Sequence, residues 1–230
     1  MTQLRDSDKA CVLKNGITFP VMQEEEPASS TETRNGRFAW VTTLSVQVMH
    51  SSLSSYDEAD LPGLLTLLGQ QFMAMQRTIE AHGGTIHRFD GDSLLAVFDK
   101  PRNGAPHAQQ SVRAALCLME QLSFLNESRL AAGAPSLRFG IGIHTGRVLL
   151  GTLLPGQQLG NAIFGDGVFM ARRLGDLNTQ TPFYAVFISD TTLAELDGSH
   201  AYHVDNLGEV QMSWQPRPVT VYSLMPKSGS

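Results

Sequence analysis

Two strand-forming runs, Thr85–Phe89 and Ser93–Phe98, are separated by only Asp90-Gly91-Asp92, and no other feature of the 230-residue chain restricts its fold so strongly. A parallel pair needs a crossover of about a dozen residues or more, so these runs must pair antiparallel around a tight turn. Glycine supplies the backbone angles of such a turn, and both aspartates are left at its tip. A helical pattern precedes the hairpin. Leu64, Leu68, Phe72, Met75 and Ile79 recur at helical spacing, Asp60 is placed to cap, Pro62 suits the first turn, and Gly83-Gly84 ends the run. A helix followed directly by a hairpin breaks strict strand and helix alternation and predicts an α+β fold.

The rest of the chain fits that class. Residues 38–49 read as an opening strand and 107–126 as a second helix, with Val112, Ala115, Leu116, Met119 and Leu122 on one face. A strand over 137–143 with a partner at 148–150, a short helix over 166–174, and strands over 183–189, 203–204, 208–212 and 219–224 complete the pattern. Ahead of it, CVLKNGITFPV (11–21) places two short apolar arms around Asn15-Gly16, a two-residue hairpin signal. The polar, acidic stretch 23–37 reads as a linker. The predicted organisation is an N-terminal hairpin and acidic linker over 1–36, a main domain over 37–226, and a disordered tail over 227–230.

A formal net charge of −5 provides no broad positive field, so nucleic acid is not an expected partner and any phosphate site must be local. The two cysteines, Cys11 and Cys117, lie far apart, which points neither to a disulfide framework nor to a cysteine zinc site and fits a reducing, cytoplasmic setting. No apolar run approaches the ~18 residues that cross a bilayer, so no membrane segment is expected. His87 and His144 have no zinc spacing and read as satisfied or solvated imidazoles. Met73, Met75 and Met170 read as core or interface filler, and Gly140, Gly142, Gly146 and Gly151 as turn and close-packing positions.

Four segments, in order, carry a resemblance: VQVMHSS (46–52); HGGTIHRFDGDSLLAVF (82–98); FGIGIHTGRVLLG with IFGDGVFMARRL (139–151 and 163–174); and LGEVQMSWQPRPVTVYSL (207–224). Together they resemble the catalytic domain of the class III nucleotidyl cyclases, the adenylate and guanylate cyclase family. The resemblance implies an α+β domain with a ferredoxin-like core, a mostly antiparallel central sheet flanked by helices, and head-to-tail dimers with two composite sites between subunits. The implied chemistry is attack of a ribose 3′-hydroxyl on the α-phosphate of a nucleoside triphosphate. Two magnesium or manganese ions, held by two carboxylates, assist it.

Carried over residue by residue, the pattern is only partly filled. Asp92 matches one metal aspartate, but the other falls on Gln47, an amide that binds a hard cation weakly. Asp90 reads as a solvated hairpin carboxylate rather than a replacement. Arg173 matches the arginine that steadies the transition state, and it either serves that role or forms a solvated helix face with Arg172. Phe169 stands where the family has a hydrogen-bonding asparagine, Arg88 at the base-reading lysine, and Ala162 at the residue that completes base recognition. Two readings remain open. In one the chain is a degenerate cyclase, weakly active or inactive, that serves as a dimerisation or nucleotide-sensing module in a homodimer or with a related cyclase domain. In the other it is an active divergent cyclase.

Overall fold

The computed structural model describes residues 11–12, 18–19, 36–49, 58–101, 104–152, 161–180, 185–196, 202–211 and 217–227. The chain divides into units Met1–Arg34 and Asn35–Ser230. In the first, β1 (Cys11–Val12) and β2 (Thr18–Phe19) pair antiparallel, Cys11 against Phe19 and Val12 against Thr18. The expected Asn15-Gly16 turn lies outside the described residues, as do most of the linker and the last three residues of the tail.

The second unit is built on one sheet in the order β4-β5-β3-β6-β8-β10-β9, with β7 paired to the far end of β6. Its strands are β3 (Arg37–Val48), β4 (Thr85–Phe89), β5 (Ser93–Phe98), β6 (Phe139–Thr152), β7 (Asn161–Phe164), β8 (Val186–Ser189), β9 (Tyr202–Val210) and β10 (Val219–Pro226). All pairings are antiparallel except β6 with β8. The helices are α1 (Leu61–Ala81), α2 (His107–Ala131), α3 (Asp166–Thr179) and the short α4 (Asp190–Ala194). The α+β class and the mostly antiparallel sheet agree with the sequence reading.

The predicted hairpin forms at the expected bounds, with Gly91 at φ 74° in its turn. In α1, Leu64, Phe72, Met75 and Ile79 are buried and Leu68 packs beside them, as the periodicity requires. Asp60 precedes α1 but forms no cap with its side chain, because Glu58–Asp60 is itself a 3-10 turn. On one face of the sheet a single apolar cluster joins α1 and α2 to Leu44, Val46, Phe98, Ile141, Ile143 and Leu224. Met75 and Met170 are buried as expected, whereas Met73 is exposed.

Several boundaries differ from expectation. Residues 137–143 and 148–150 are not a strand and its partner: β6 is one continuous strand, paired with β3 from Phe139 against Val48 to Leu150 against Arg37. His144-Thr145-Gly146-Arg147 looks like a turn locally, but an unbroken ladder to β3 keeps it extended. The separate strands expected over 203–204 and 208–212 are replaced by one, β9, which runs from Tyr202 to Val210 with a bulge that leaves Leu207 between paired Gly208 and Asn206; Met212 lies outside the described residues. The helices α2 and α3 run five residues past their predicted ends, and β7 and α4 lack sequence expectations of their own.

The other face carries α3, and glycines decide how close it comes. A Cβ on Gly140 would overlap the carbonyl oxygen of Gly175, and one on Gly142 would overlap that of Ala171. The helix backbone therefore lies directly on the β6 backbone, with Met170 and Leu174 packed among Phe187, Val219 and Val221. Asn178 Nδ2 donates to the Ile141 carbonyl at 3.0 Å and fastens the end of α3 to the same strand. Gly142→Ala is expected to destabilise the domain by about 1–3 kcal/mol through overpacking, read as a lower urea midpoint.

His144 faces α3 and is 7% exposed, its Nδ1 2.9 Å from Ser189 Oγ. Burial lowers its pKa to about 4, against a weaker opposing pull from Asp190. His107, 2.8 Å from Thr42 Oγ1 at the start of α2, is also lowered by burial, opposed by Glu195 and Asp99. The neutral imidazoles thus belong to the folded state, and their contribution is intact above the ordinary histidine pKa. As pH falls from about 6.5 toward 4 the unfolded chain takes up protons first, so stability is lost. His144 alone is expected to make the domain about 2 kcal/mol less stable at pH 5 than at pH 7, and His144→Gln to flatten that slope in urea titrations.

Candidate functional site

The register of β3 and β5 places Gln47 opposite Ser93, and the Val48 amide donates to the Asp92 carbonyl at 2.8 Å. The end of the opening strand and the hairpin tip are thereby fixed side by side. Above them α3 contributes Arg172, Asp176 and Thr179, spaced i, i+4, i+7 on one helix face. Gln47, Asp92, Ser93 and these three residues line a cleft of about 260 Å³.

Gln47 is 9% exposed, and its Nε2 donates to the Arg172 carbonyl at 3.0 Å beside Gly175. Its amide nitrogen is engaged in holding the helix, a role that the sequence reading of a weak metal ligand did not contain. Asp92 is half-buried at the mouth of the cleft. Asp90 is exposed but more than a solvated turn residue: Arg88 Nε lies 3.4 Å from one carboxylate oxygen and Arg172 Nη1 3.5 Å from the other. Such exposed pairs contribute little stability singly, but together they draw the hairpin tip toward α3.

The remaining candidates stand outside the cleft. Arg88 is exposed on β4, Ala162 is half-buried on β7 opposite Gly151, Phe169 is 61% exposed in the first turns of α3, and Arg173 is half-buried one residue past Arg172. Within one chain Gln47 and Asp92 line one cleft, and Arg88, Ala162, Phe169 and Arg173 are not among its lining residues, although the Arg173 charge reaches Asp176.

Asp176 was not singled out in the sequence, although its spacing from Arg172 put both on one helix face. Partial burial raises its carboxyl above the ordinary value, Arg173 and Arg172 oppose that rise, and the negative charge of Asp92 adds to it. Among the described residues no three His, Cys, Asp or Glu side chains converge to cage a metal. Nor is any helix among them long and apolar enough to cross a membrane.

This sheet order, with a glycine-seated helix over an aspartate hairpin, defines a cyclase catalytic fold. The chain belongs to the adenylate and guanylate cyclase catalytic domain family, which matches residues 39–226. Adenylate cyclase 1 of Rhizobium meliloti is 32% identical over 147 residues, 62% of this chain and 22% of that protein. The crystal structure of the guanylyl cyclase Cya2 superposes with a TM-score of 0.68 at 26% identity, covering 82% of this chain and 93% of that one. The adenylyl cyclase CyaB from P. aeruginosa gives 0.71 at 21% identity over 84% and 97%, a likeness of fold. The chain spans about a fifth to a third of the length of the curated relatives it matches.

The donors in the cleft fit a hard divalent cation that takes one or two carboxylates from protein and completes its shell with phosphate and water. Gln47→Asp removes the donor to the Arg172 carbonyl and adds negative charge beside Asp92. It is expected to lower stability by about 1–2 kcal/mol without metal, and added manganese to recover more of the melting temperature than in the unsubstituted protein.

Proposed function

We propose that this chain is a degenerate class III cyclase domain, with weak or absent turnover, that serves as a dimerisation or nucleotide-sensing signalling module. One observation carries the reading: the side chain at the family's first metal position is an amide that fastens α3 to β3 through the Arg172 carbonyl. Paired carboxylates at that point would neutralise the charge that develops on a reacting triphosphate. An amide bonded to the helix supplies none of that charge. Phe169 adds to the deficit, because an exposed aromatic ring donates no hydrogen bond to ribose or phosphate.

A dimer, of this chain with itself or with a related cyclase domain, is supported by where the other candidates lie. Arg173, Phe169, Ala162 and Arg88 do not line the Gln47 and Asp92 cleft, which favours a site divided between two chains. Exposed Phe164 and Phe169 supply apolar surface beside them. Magnesium or manganese, bound at Asp92 with a nucleoside triphosphate, would neutralise phosphate charge. Arg173 would contribute a fixed cation from the partner's side, and Arg88 would face the base with a fork of donors in place of an ammonium. The second reading, an active divergent cyclase, draws on Asp92 and on half-buried Arg173.

Incubation with each of the four ribonucleoside triphosphates and magnesium or manganese, with products separated by chromatography, is expected to give almost no cyclic nucleotide. The double substitution Gln47→Asp with Phe169→Asn is expected to raise product by about 10²-fold, since it returns a metal carboxylate and a transition-state donor. Efficient turnover by the unsubstituted chain would overturn the degenerate reading. A monomer in sedimentation at micromolar concentration, alone and with related cyclase domains, would overturn the dimer.

A further inference from the structure

The cleft that lacks a carboxylate at the end of β3 has one on its opposite wall. Asp176 stands one helical turn after Arg172 and one before Thr179, and all three face Gln47, Asp92 and Ser93. Its placement follows from the glycine contact: with Gly140 and Gly142 against the backbone of Ala171 and Gly175, the next residue of α3 is held beside the end of β3. Gln47 presses against Gly175, so the amide at the strand end and the aspartate on the helix are near neighbours. Asp92 is close enough that its charge acts on Asp176. Of the two cations whose charges act on Asp176, Arg173 and Arg172, Arg172 extends toward Asp90 on the hairpin tip, 3.5 Å away.

We propose that Asp176 and Asp92 together hold a divalent cation in this cleft, so that the carboxylate absent from the sheet is resupplied by helix α3. The proposal rests on the cation-dependent nucleotide site above and deepens it by naming a ligand. The donor set is two carboxylate oxygens from separate elements. Gln47 lines the same cleft, with its amide nitrogen engaged by the Arg172 carbonyl. That set suits magnesium or manganese, which accept all-oxygen shells with one or two protein carboxylates and take the remaining positions from water and the phosphates of a bound nucleotide. It does not suit zinc, since among the described residues no histidine or cysteine lines the cleft. The cation would lie between the hairpin and the helix, displaced from the strand end toward α3, and would tie Asp92 to the helix that also carries Phe169 and Arg173.

The test is titration of the full chain with manganese alone, following the free-ion signal by electron paramagnetic resonance. Asp176→Asn and Asp92→Asn are each expected to weaken manganese binding about 10-fold or more, and Asp176→Glu to recover most of it. Asp205→Asn, which removes a carboxylate from the exposed strand β9, is expected to leave binding unchanged. In the unsubstituted protein, titrated with magnesium, the side-chain carboxyl carbons of Asp92 and Asp176 are expected to shift together in nuclear magnetic resonance spectra, a readout that needs no variant to fold. Manganese affinity unaltered by Asp176→Asn, or an Asp176 carboxyl carbon that stays still while that of Asp92 moves, would overturn the assignment. The two proposals fail separately. Manganese bound through Asp176 without any triphosphate binding upholds the cation site and removes the nucleotide reading, whereas triphosphate binding with Asp176 uninvolved removes only this assignment.

Discussion

The contact between the backbones of α3 and β6 is the constraint on which the rest of the site depends. Gly140 and Gly142 let a helix rest on a strand at a separation that no side chain at those two positions would permit. From that seat the helix offers its Arg172 carbonyl to Gln47 and its Asp176 and Thr179 side chains to the cleft. The apolar residues Met170 and Leu174 contribute burial on the same helix. Burial alone would tolerate several positions of the helix; the glycines select one.

Charge is organised around the same seat. The hairpin tip carries two aspartates, and Asp90 is bridged by one guanidinium from its own strand and another from the helix. This leaves Asp92 as the hairpin's contribution to the cleft. Arg88 is paired with a carboxylate of its own hairpin. If it faces a base, as proposed, that base would have to compete with Asp90 for the guanidinium.

The fold was legible wherever a local rule was decisive. Three residues between Phe89 and Ser93 allow only a hairpin, and the period of Leu64, Phe72, Met75 and Ile79 allows only a helix with one buried face. The errors arose where a distant partner overrode a local signal. Gly146 beside His144 and Thr145 looked like a turn, but a ladder to β3 keeps the segment extended. The helix expected over 166–174 runs on to Thr179, carried past Leu174 by its packing on β6 and by the bond from Asn178 to the Ile141 carbonyl. In the site, the family pattern named Gln47 and Asp92, and the fold sets both in the wall of one cleft. The bond from Gln47 to a carbonyl 125 residues away was beyond sequence reading, and Asp176 was passed over because it lies just past the last residue of the recognised pattern.

The continuous strand β6 has a consequence for how this chain can vary. Side chains alternate faces along it, so glycines at 140 and 142 lie under the helix while Ile141 and Ile143 fill the opposite core. A single inserted or deleted residue between Phe139 and His144 would exchange those sets, setting branched isoleucines beneath α3 and glycines in the core. Length change is therefore forbidden within this strand but tolerable in connectors that leave its phase alone. Descendants of this sequence should differ freely in such connectors while keeping an invariant count of residues across the strand.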